Sequence, residues 1–484
     1  MKLRIGILLA VCLATWLLCA CQPTPEADVV VNKGDGKTEQ AVMDASREEA
    51  LTTEAPETTA PEATERPFAD EEYALSIPGE WDETLSLKWL DVVFDHVPIE
   101  TGDLSRMPVY AMRRIEMFNE YPAIKQSVLE YFLSSATGVR RIVMTKADYE
   151  RQMERLLRGY YDEEADAYLP NDPELVEQDL KVLQELYQNA PEEVPYEPFD
   201  PTILEGTFDR QFLLENGSAV QADVSSRNIK IWVNMDRGEE FIQRERWLWN
   251  GDAIPGEPPT KRVEGIRITQ ESALEKAQQL MEETGLADTY SFCSVETARS
   301  VNYSGIGHRG YYITYLQNPG GYIPVDYSIC SDHNLKPEDQ PEAYADAMGF
   351  DCITMLVDEN GVCYFQWNNP FVVVEKLAER VRVLDYAEMR EVILQTLKNC
   401  LSWIGEEPEQ NPFMNMKAGA NQLKVRRVVL GAANIRPLNG AMNEEWNIPV
   451  WFVEFSNDYS YNAGDPNTML AFNAIDGSLL DLGY

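Results

Sequence analysis

Ile268-Thr269-Gln270-Glu271-Ser272-Ala273-Leu274 opens the part of the chain whose reading decides the fold. Thr269 is a good helix cap. Ala273, Leu274, Ala277, Leu280 and Met281 then recur at helical spacing until Gly285 stops the element. Strands are expected around residues 291–301 and 311–315, and 352–365 reads strand, turn, strand with Asp358-Glu359-Asn360-Gly361 at the corner. The same order is stated again. Asp385, with Glu388 three residues on, starts a second helix burying Met389, Val392, Ile393 and Leu397. Strands follow at 423–430 and 451–455, and 469–480 closes the chain around Asp476-Gly477. Thr269 and Asp385 stand 116 positions apart and Asp358 and Asp476 stand 118 apart. That spacing suits a tandem repeat of one helix-plus-sheet unit. Two unrelated units sharing only a common order would look the same, so both readings stand. Either way the class is α+β, with antiparallel sheets and packed helices.

Working outward from there, 201–264 is a β-rich segment. Phe212-Leu213-Leu214 and Ala219-Val220 flank Asn216-Gly217, a strong hairpin signal. Ile229, Ile231 and Val233 alternate with polar neighbours, and Trp247 and Trp249 share one side of a further strand. Pro255, Pro258 and Pro259 mark a boundary after it, and Pro191, Pro195, Pro198 and Pro201 mark one before it. The stretch 69–200 is an N-terminal α+β domain. Leu85, Leu87 and Trp89 alternate in a strand, and Leu90, Val92 and Phe94 continue on the opposite parity, which predicts a bulge or bend near Trp89. Residues 107–117 read as the partner strand. Pro122 opens a helix carrying Ile124, Val128 and Phe132; Thr145 caps a second with Tyr149, Met153, Leu156, Leu157 and Tyr160 on its core face; Asp172-Pro173 opens a third with Val176, Leu180, Leu183 and Tyr187 buried.

The first 68 residues have a different character. Lys2 and Arg4 precede an apolar run over residues 5–18, too short to span a membrane comfortably. The run ends on Leu18-Cys19-Ala20-Cys21, which resembles the bacterial lipobox. That resemblance implies a signal peptide over 1–21, lipid on Cys21, and a mature chain held on the outer face of the cell membrane. Residues 22–68 are rich in Thr, Glu, Pro and Ala, as in Thr52-Thr53-Glu54-Ala55-Pro56-Glu57. They read as a disordered tether reaching about 40 Å on average. The chain carries 41 basic and 81 acidic residues, a formal charge of -40. Such a balance argues against nucleic acid and against an anionic membrane surface as partners.

Two further resemblances bear on the body. The helix opening at Ile268-Thr269-Gln270-Glu271-Ser272-Ala273-Leu274 with Ala277, and the closing run Phe472-Asn473-Ala474-Ile475-Asp476-Gly477-Ser478-Leu479-Leu480, are similar to PepSY-type domains. Val357-Asp358-Glu359-Asn360-Gly361-Val362 is a looser version of the closing run. PepSY-like units are thereby implied at 265–370 and 371–484. The whole chain, with Cys21-Gln22-Pro23-Thr24-Pro25 as its mature start, resembles a family of uncharacterised lipoproteins of Gram-positive bacteria. PepSY-like domains occur in inhibitory or regulatory extracytoplasmic proteins, which implies binding rather than catalysis.

The residues themselves offer little catalytic chemistry. His96, His308 and His333 are far apart, with no second histidine at zinc-hydrolase spacing and no nucleophile elbow around a serine. His308 and His333 lie in Gly- or Asp-rich loops and are the two candidates for a catalytic imidazole. No cofactor motif is present. Asn457, Asp458, Asn462, Asp465 and Asn467 form an oxygen-rich loop that lacks the EF-hand pattern and reads better as a turn. Cys293, Cys330, Cys352, Cys363 and Cys400 remain after the signal, and buried thiols are expected rather than a bridge between Cys352 and Cys363. The reading that best fits is a non-catalytic, lipid-anchored binding or regulatory module for a cell-surface protein, peptide or glycan. Its expected contact surface comprises Tyr311, Tyr312, Tyr322 and Trp451. The alternative is a surface hydrolase cutting wall or polysaccharide with a carboxylate pair.

Overall fold

A computed structural model describes residues 38, 40–46, 77–87, 91–115, 121–162, 167–169, 171–235, 241–244, 263–302, 305–326, 351–401, 422–437, 444–455 and 469–480. Cys21, His333, Trp247, Trp249, Cys330 and the 457–467 loop lie outside them. The described chain is α+β, built on two largely antiparallel sheets.

The eight-stranded sheet takes strands from both ends of the sequence. It contains β1 (Glu80–Ser86), β2 (Asp91–Thr101), β3 (Val109–Arg114), β16 (Phe371–Ala378), β17 (Gln422–Ile435), β18 (Glu444–Phe455), β19 (Met469–Asn473) and β20 (Leu479–Leu480). Trp89, where a bulge or bend is expected, lies outside the described residues; β1 and β2 on either side pair antiparallel, with Ser86 opposite Asp91. β3 does not pair with them. It lies between β16 and β18. β2 and β17 run parallel, an exception to the antiparallel expectation. The middle of β18, Ile448-Pro449-Val450-Trp451-Phe452-Val453, is apolar without alternation because it is buried on both faces between β17 and β19.

The ten-stranded sheet runs β11 (Phe241–Arg244), β12 (Tyr290–Asn302), β13 (Gly305–Gln317), β14 (Cys352–Asp358), β15 (Gly361–Asn368), β10 (Asn228–Val233), β9 (Ala219–Ser225), β8 (Phe208–Leu214), β4 (Ala136–Arg141), β7 (Glu197–Pro198). A small ribbon pairs β5 (Tyr160–Asp162) with β6 (Ala167–Leu169). The β8/β9 turn is the Asn216-Gly217 hairpin, with Gly217 at φ 84°, a conformation that favours glycine. Strands from 69–200, 201–264 and 265–370 share this sheet through the β4/β8 and β10/β15 pairs. The sequential boundaries at 200 and 264 are therefore crossed by backbone pairing, and in the other sheet β3 pairs with β16 and β18 from beyond 370. β-pairing is non-local, and hydrophobic period alone does not choose a strand's partner.

Helices cover the sheets. α1 (Pro122–Leu133) and α4 (Gln270–Glu283) bury Val128, Leu129, Ala273, Ala277, Leu280 and Met281 against the ten-stranded sheet, with Phe365 and Trp367 in the same core. Thr269 caps α4 through a bond from the Ser272 amide at 3.2 Å. α5 (Tyr386–Leu401) sets Met389, Ile393 and Leu397 into the eight-stranded sheet's core. Its start carries the reciprocal Asp385–Glu388 bonds that the sequence announces.

Two expectations are corrected. α2 (Lys146–Arg158) has the Thr145–Asp148 capping box but no buried residue, and Leu157 is exposed. It pairs with α3 (Pro173–Asn189), whose Val176, Leu180, Leu183 and Tyr187 are only half-buried. The two stripes face each other, and two helices alone cannot cover both. Part of the stretch read as tether is also built into the body. Residues 40–46 are helical, Val42 is buried in the eight-stranded sheet's core, and Ala41 and Ala45 pack beside it. Thr38 donates to Asp476 Oδ2 at 2.6 Å and accepts from Asn473 Nδ2 at 2.7 Å, all three sealed from water. The small apolar face Ala41-Val42-Ala45 is what the surrounding Thr/Glu/Pro composition hides.

Candidate functional site

The four aromatics expected at a contact surface do not form one. Trp451 and Tyr322 are buried in the eight-stranded sheet's core, and the Tyr322 hydroxyl donates to the Pro108 carbonyl at 2.8 Å. Tyr311 and Tyr312 are neighbours on β13, so their rings take opposite faces of the sheet. Tyr311 packs towards the α4 side and Tyr312 towards Trp232, Leu356 and Cys363 on the other. Large rings in the middle of apolar strands pack inward, and their size is no signal of contact.

Below Tyr312 lies a buried charge cluster. Arg244 Nε donates to Glu296 Oε1 at 2.5 Å and Nη2 to Asp326 Oδ2 at 3.0 Å, with the guanidinium 4.5 Å over the Tyr312 ring. Burial alone would lower the guanidinium's pKa; the two carboxylates outweigh it and hold the group above its ordinary range. Burial pushes the Tyr312 phenol up to about 12 against the opposing guanidinium. Glu296 and Asp326 are two carboxylates close in space, but one guanidinium holds both. A glycosidase pair needs one member kept protonated, and here a single permanent cation stands between the two.

Titratable groups of three kinds converge at a corner of the ten-stranded sheet. His308 on β13, Asp358 at the end of β14 and Cys363 on β15 bring one ligand atom each within 4.8 Å of one another. The β14/β15 hairpin places Asp358 and Cys363. Asp358 Oδ1 accepts from the Asn360 amide at 2.7 Å and the Gly361 amide at 3.2 Å, so the turn fixes the carboxylate. Its other oxygen, Oδ2, stands 2.7 Å from His308 Nδ1. Burial raises the Asp358 pKa, but the bonds to His308 and Asn360 outweigh it and hold the carboxyl below its usual value. His308 Nε2 lies 3.3 Å from the Asn234 carbonyl oxygen, and Asn234 sits at φ 54°. The histidine is anchored from behind, its amide donating to Ser300 Oγ at 2.8 Å. Gly310 lets β13 approach so closely: a Cβ there would collide with the Val357 carbonyl.

This geometry suits chelation better than acyl transfer. In a Cys–His–Asp relay the imidazole nitrogen remote from the carboxylate must face the thiol. Here that nitrogen faces a backbone carbonyl. The Cys363 thiol is buried and donates to the Leu356 carbonyl at 3.3 Å. The imidazole is part-buried while the carboxylate and thiol are buried, so the three donors meet with only the histidine reached by solvent. His308 was visible in the sequence as an isolated histidine. Asp358 read only as a turn residue and Cys363 only as a core thiol, and nothing in their spacing from His308 announces that they meet.

Cys352 is also a buried thiol, its pKa pushed well up by burial. It pairs across β14/β15 with Asn368 and not with Cys363, in keeping with two thiols and no bridge. His96 is exposed on β2 and interacts with Glu80.

No protein-family model matches the chain. The comparison with curated proteins found no match. Among solved structures, the chain is similar to an uncharacterized protein from Eubacterium rectale ATCC 33656, solved at 1.45 Å resolution. The two are 11% identical with a TM-score of 0.44, over 82% of this chain and 92% of that one. A likeness that loose carries no argument about fold or function.

Proposed function

We propose that the protein is a lipid-anchored extracytoplasmic module that binds its ligand without turning it over, and that the His308 corner of the ten-stranded sheet is where it does so. The carrying observation is the convergence of a part-buried imidazole with a buried carboxylate and thiol, in an arrangement that fails the relay geometry of a hydrolase. The anchor rests on the Leu18-Cys19-Ala20-Cys21 lipobox and the stretch after it.

The two C-terminal halves are proposed to be PepSY-like repeats. Each has an Asx- or Thr-capped helix on an antiparallel sheet, and each closes on an aspartate turn. Asp358 Oδ1 accepts the Asn360 and Gly361 amides, and Asp476 Oδ1 accepts the Ser478 amide at 2.9 Å. In this reading the second turn lost its site, because Thr38 covers Asp476.

The binding reading is tested by placing a photo-crosslinking residue at Glu359, exposed on the corner turn, and irradiating native membranes. Recovery of a specific adduct, absent when the probe stands at exposed Glu154 on α2, is the expected result. Equal labelling at both positions, or none under several growth conditions, would count against it.

A further inference from the structure

We infer that the His308–Asp358–Cys363 corner is a site for a borderline, thiophilic divalent cation of the Zn2+ class. The inference rests on reading this corner as a binding site and names what it binds.

The donor set carries the choice of cation. One imidazole nitrogen, one carboxylate oxygen and one thiol sulfur are the three ligand types of zinc sites. Hard cations such as Ca2+ and Mg2+ want six or more oxygens and gain little from a thiol. The three donor atoms lie within 4.8 Å of one another. Tetrahedral zinc, with bonds of about 2.0 to 2.3 Å, sets donor separations of about 3.3 to 3.5 Å. To hold the ion, Nδ1 and Oδ2, now 2.7 Å apart, part by about 0.6 Å, and the widest separation shrinks by up to about 1.3 Å.

The surroundings are arranged as a ligand shell requires. Asp358 offers Oδ2, since Oδ1 is engaged by the Asn360 and Gly361 amides. His308 offers Nδ1, the nitrogen 2.7 Å from that oxygen, while Nε2 faces the Asn234 carbonyl, an outer partner of the kind that orients metal-bound histidines. Cys363 lies across the hairpin, its sulfur now directed at the Leu356 carbonyl. Trp232, Met235, Ala298 and Leu356 wall the site with apolar surface, which strengthens each bond to the ion. Binding forms three coordinate bonds and breaks no covalent bond except the thiol S–H. The thiol proton leaves to water, the neutral imidazole carries its proton on Nε2 towards the Asn234 carbonyl and turns the Nδ1 lone pair to the ion, and the fourth position falls to water or a ligand on the exposed side of His308.

The test uses the full-length protein in detergent, stripped with chelator and dialysed against Zn2+ in excess Mg2+, with Co2+ as a spectroscopic probe. The expected result is one Zn2+ retained per chain and a thiolate-to-Co2+ charge-transfer band. Cys363→Ser should abolish the band and weaken Zn2+ at least tenfold; His308→Gln, whose amide can still donate to the buried Asp358 carboxylate, should weaken Zn2+ by a similar factor in protein whose circular dichroism matches the parent. Retention no better than Mg2+ competition allows, a band that persists in Cys363→Ser, or unaltered affinity in His308→Gln would each overturn the assignment. Crosslinking from Glu359 that is indifferent to chelator, together with no Zn2+ uptake, would sink the metal and leave the binding module standing. Loss of both would sink both.

Discussion

Replacing Arg244 with methionine tests the buried charge cluster beneath Tyr312. The guanidinium holds Glu296 at 2.5 Å and Asp326 at 3.0 Å, and all three side chains are shielded from water. Methionine keeps most of the volume and the contact with the Tyr312 ring, so the change isolates charge. Removing one partner of a buried ion pair costs about 3 to 5 kcal/mol, because the remaining charge stays desolvated. Two carboxylates left facing each other put Arg244→Met at the upper end of that range. For a body this large each kcal/mol lowers Tm by about 2 °C, so a fall of roughly 6 to 10 °C is expected by calorimetry or circular dichroism. Adding Glu296→Gln and Asp326→Asn to Arg244→Met should recover more than half of the loss, since neutral amides need no counter-charge. The pH dependence has a definite sign. Buried carboxylates without a counter-charge are relieved by taking up protons, so Arg244→Met should be less impaired in acid than at neutral pH. A loss below about 1 kcal/mol at pH 7, or a triple variant less stable than the single, would refute the reasoning.

Three further outcomes follow from the same structure. Gly310→Ala drives a Cβ into the Val357 carbonyl and is expected to cost about 3 kcal/mol or more, seen as a lowered urea midpoint and loss of the His308 corner. Asp351 is fully buried, accepts from the Tyr290 hydroxyl at 2.8 Å and the Phe371 amide at 3.0 Å, and has its pKa raised well above the usual value by burial. Its contribution is therefore greatest at low pH and is lost as pH rises above about 4, where the unfolded carboxyl ionises. Asp351→Asn should flatten the fall in urea midpoint between pH 5 and 8, removing up to about 1.4 kcal/mol per pH unit. Thr38→Val leaves Asp476 and Asn473 short of a buried partner and is expected to cost about 1 to 3 kcal/mol in thermal unfolding, whereas a true tether would be indifferent to the change.

What the sequence made legible was local. Thr145, Thr269 and Asp385 are caps whose bonds form where their neighbours predict, and Asn216-Gly217 turns where a hairpin needs φ above zero. What stayed hidden was pairing over long range. Nothing in Val109–Arg114 says that its partners lie some 260 to 330 residues on, in β16 and β18, because every alternating strand offers the same backbone edge. The interleaving of early and late segments follows from that one ambiguity. The site was hidden for a related reason. His308, Asp358 and Cys363 sit on three successive strands of one sheet, and only the register, with its irregularity at Leu356 and Val357, brings their ends together. The aromatics misled because ring size marks burial as readily as contact.

A binding module held outside the cell by lipid should show itself in the mass of the N-terminal peptide of the protein isolated from native membranes. The expected chain starts at Cys21 and carries acyl groups on that residue, and Cys21→Ala should release the protein to the soluble fraction. A chain starting at Met1, recovered from the cytosol with residues 1–20 attached, would contradict it.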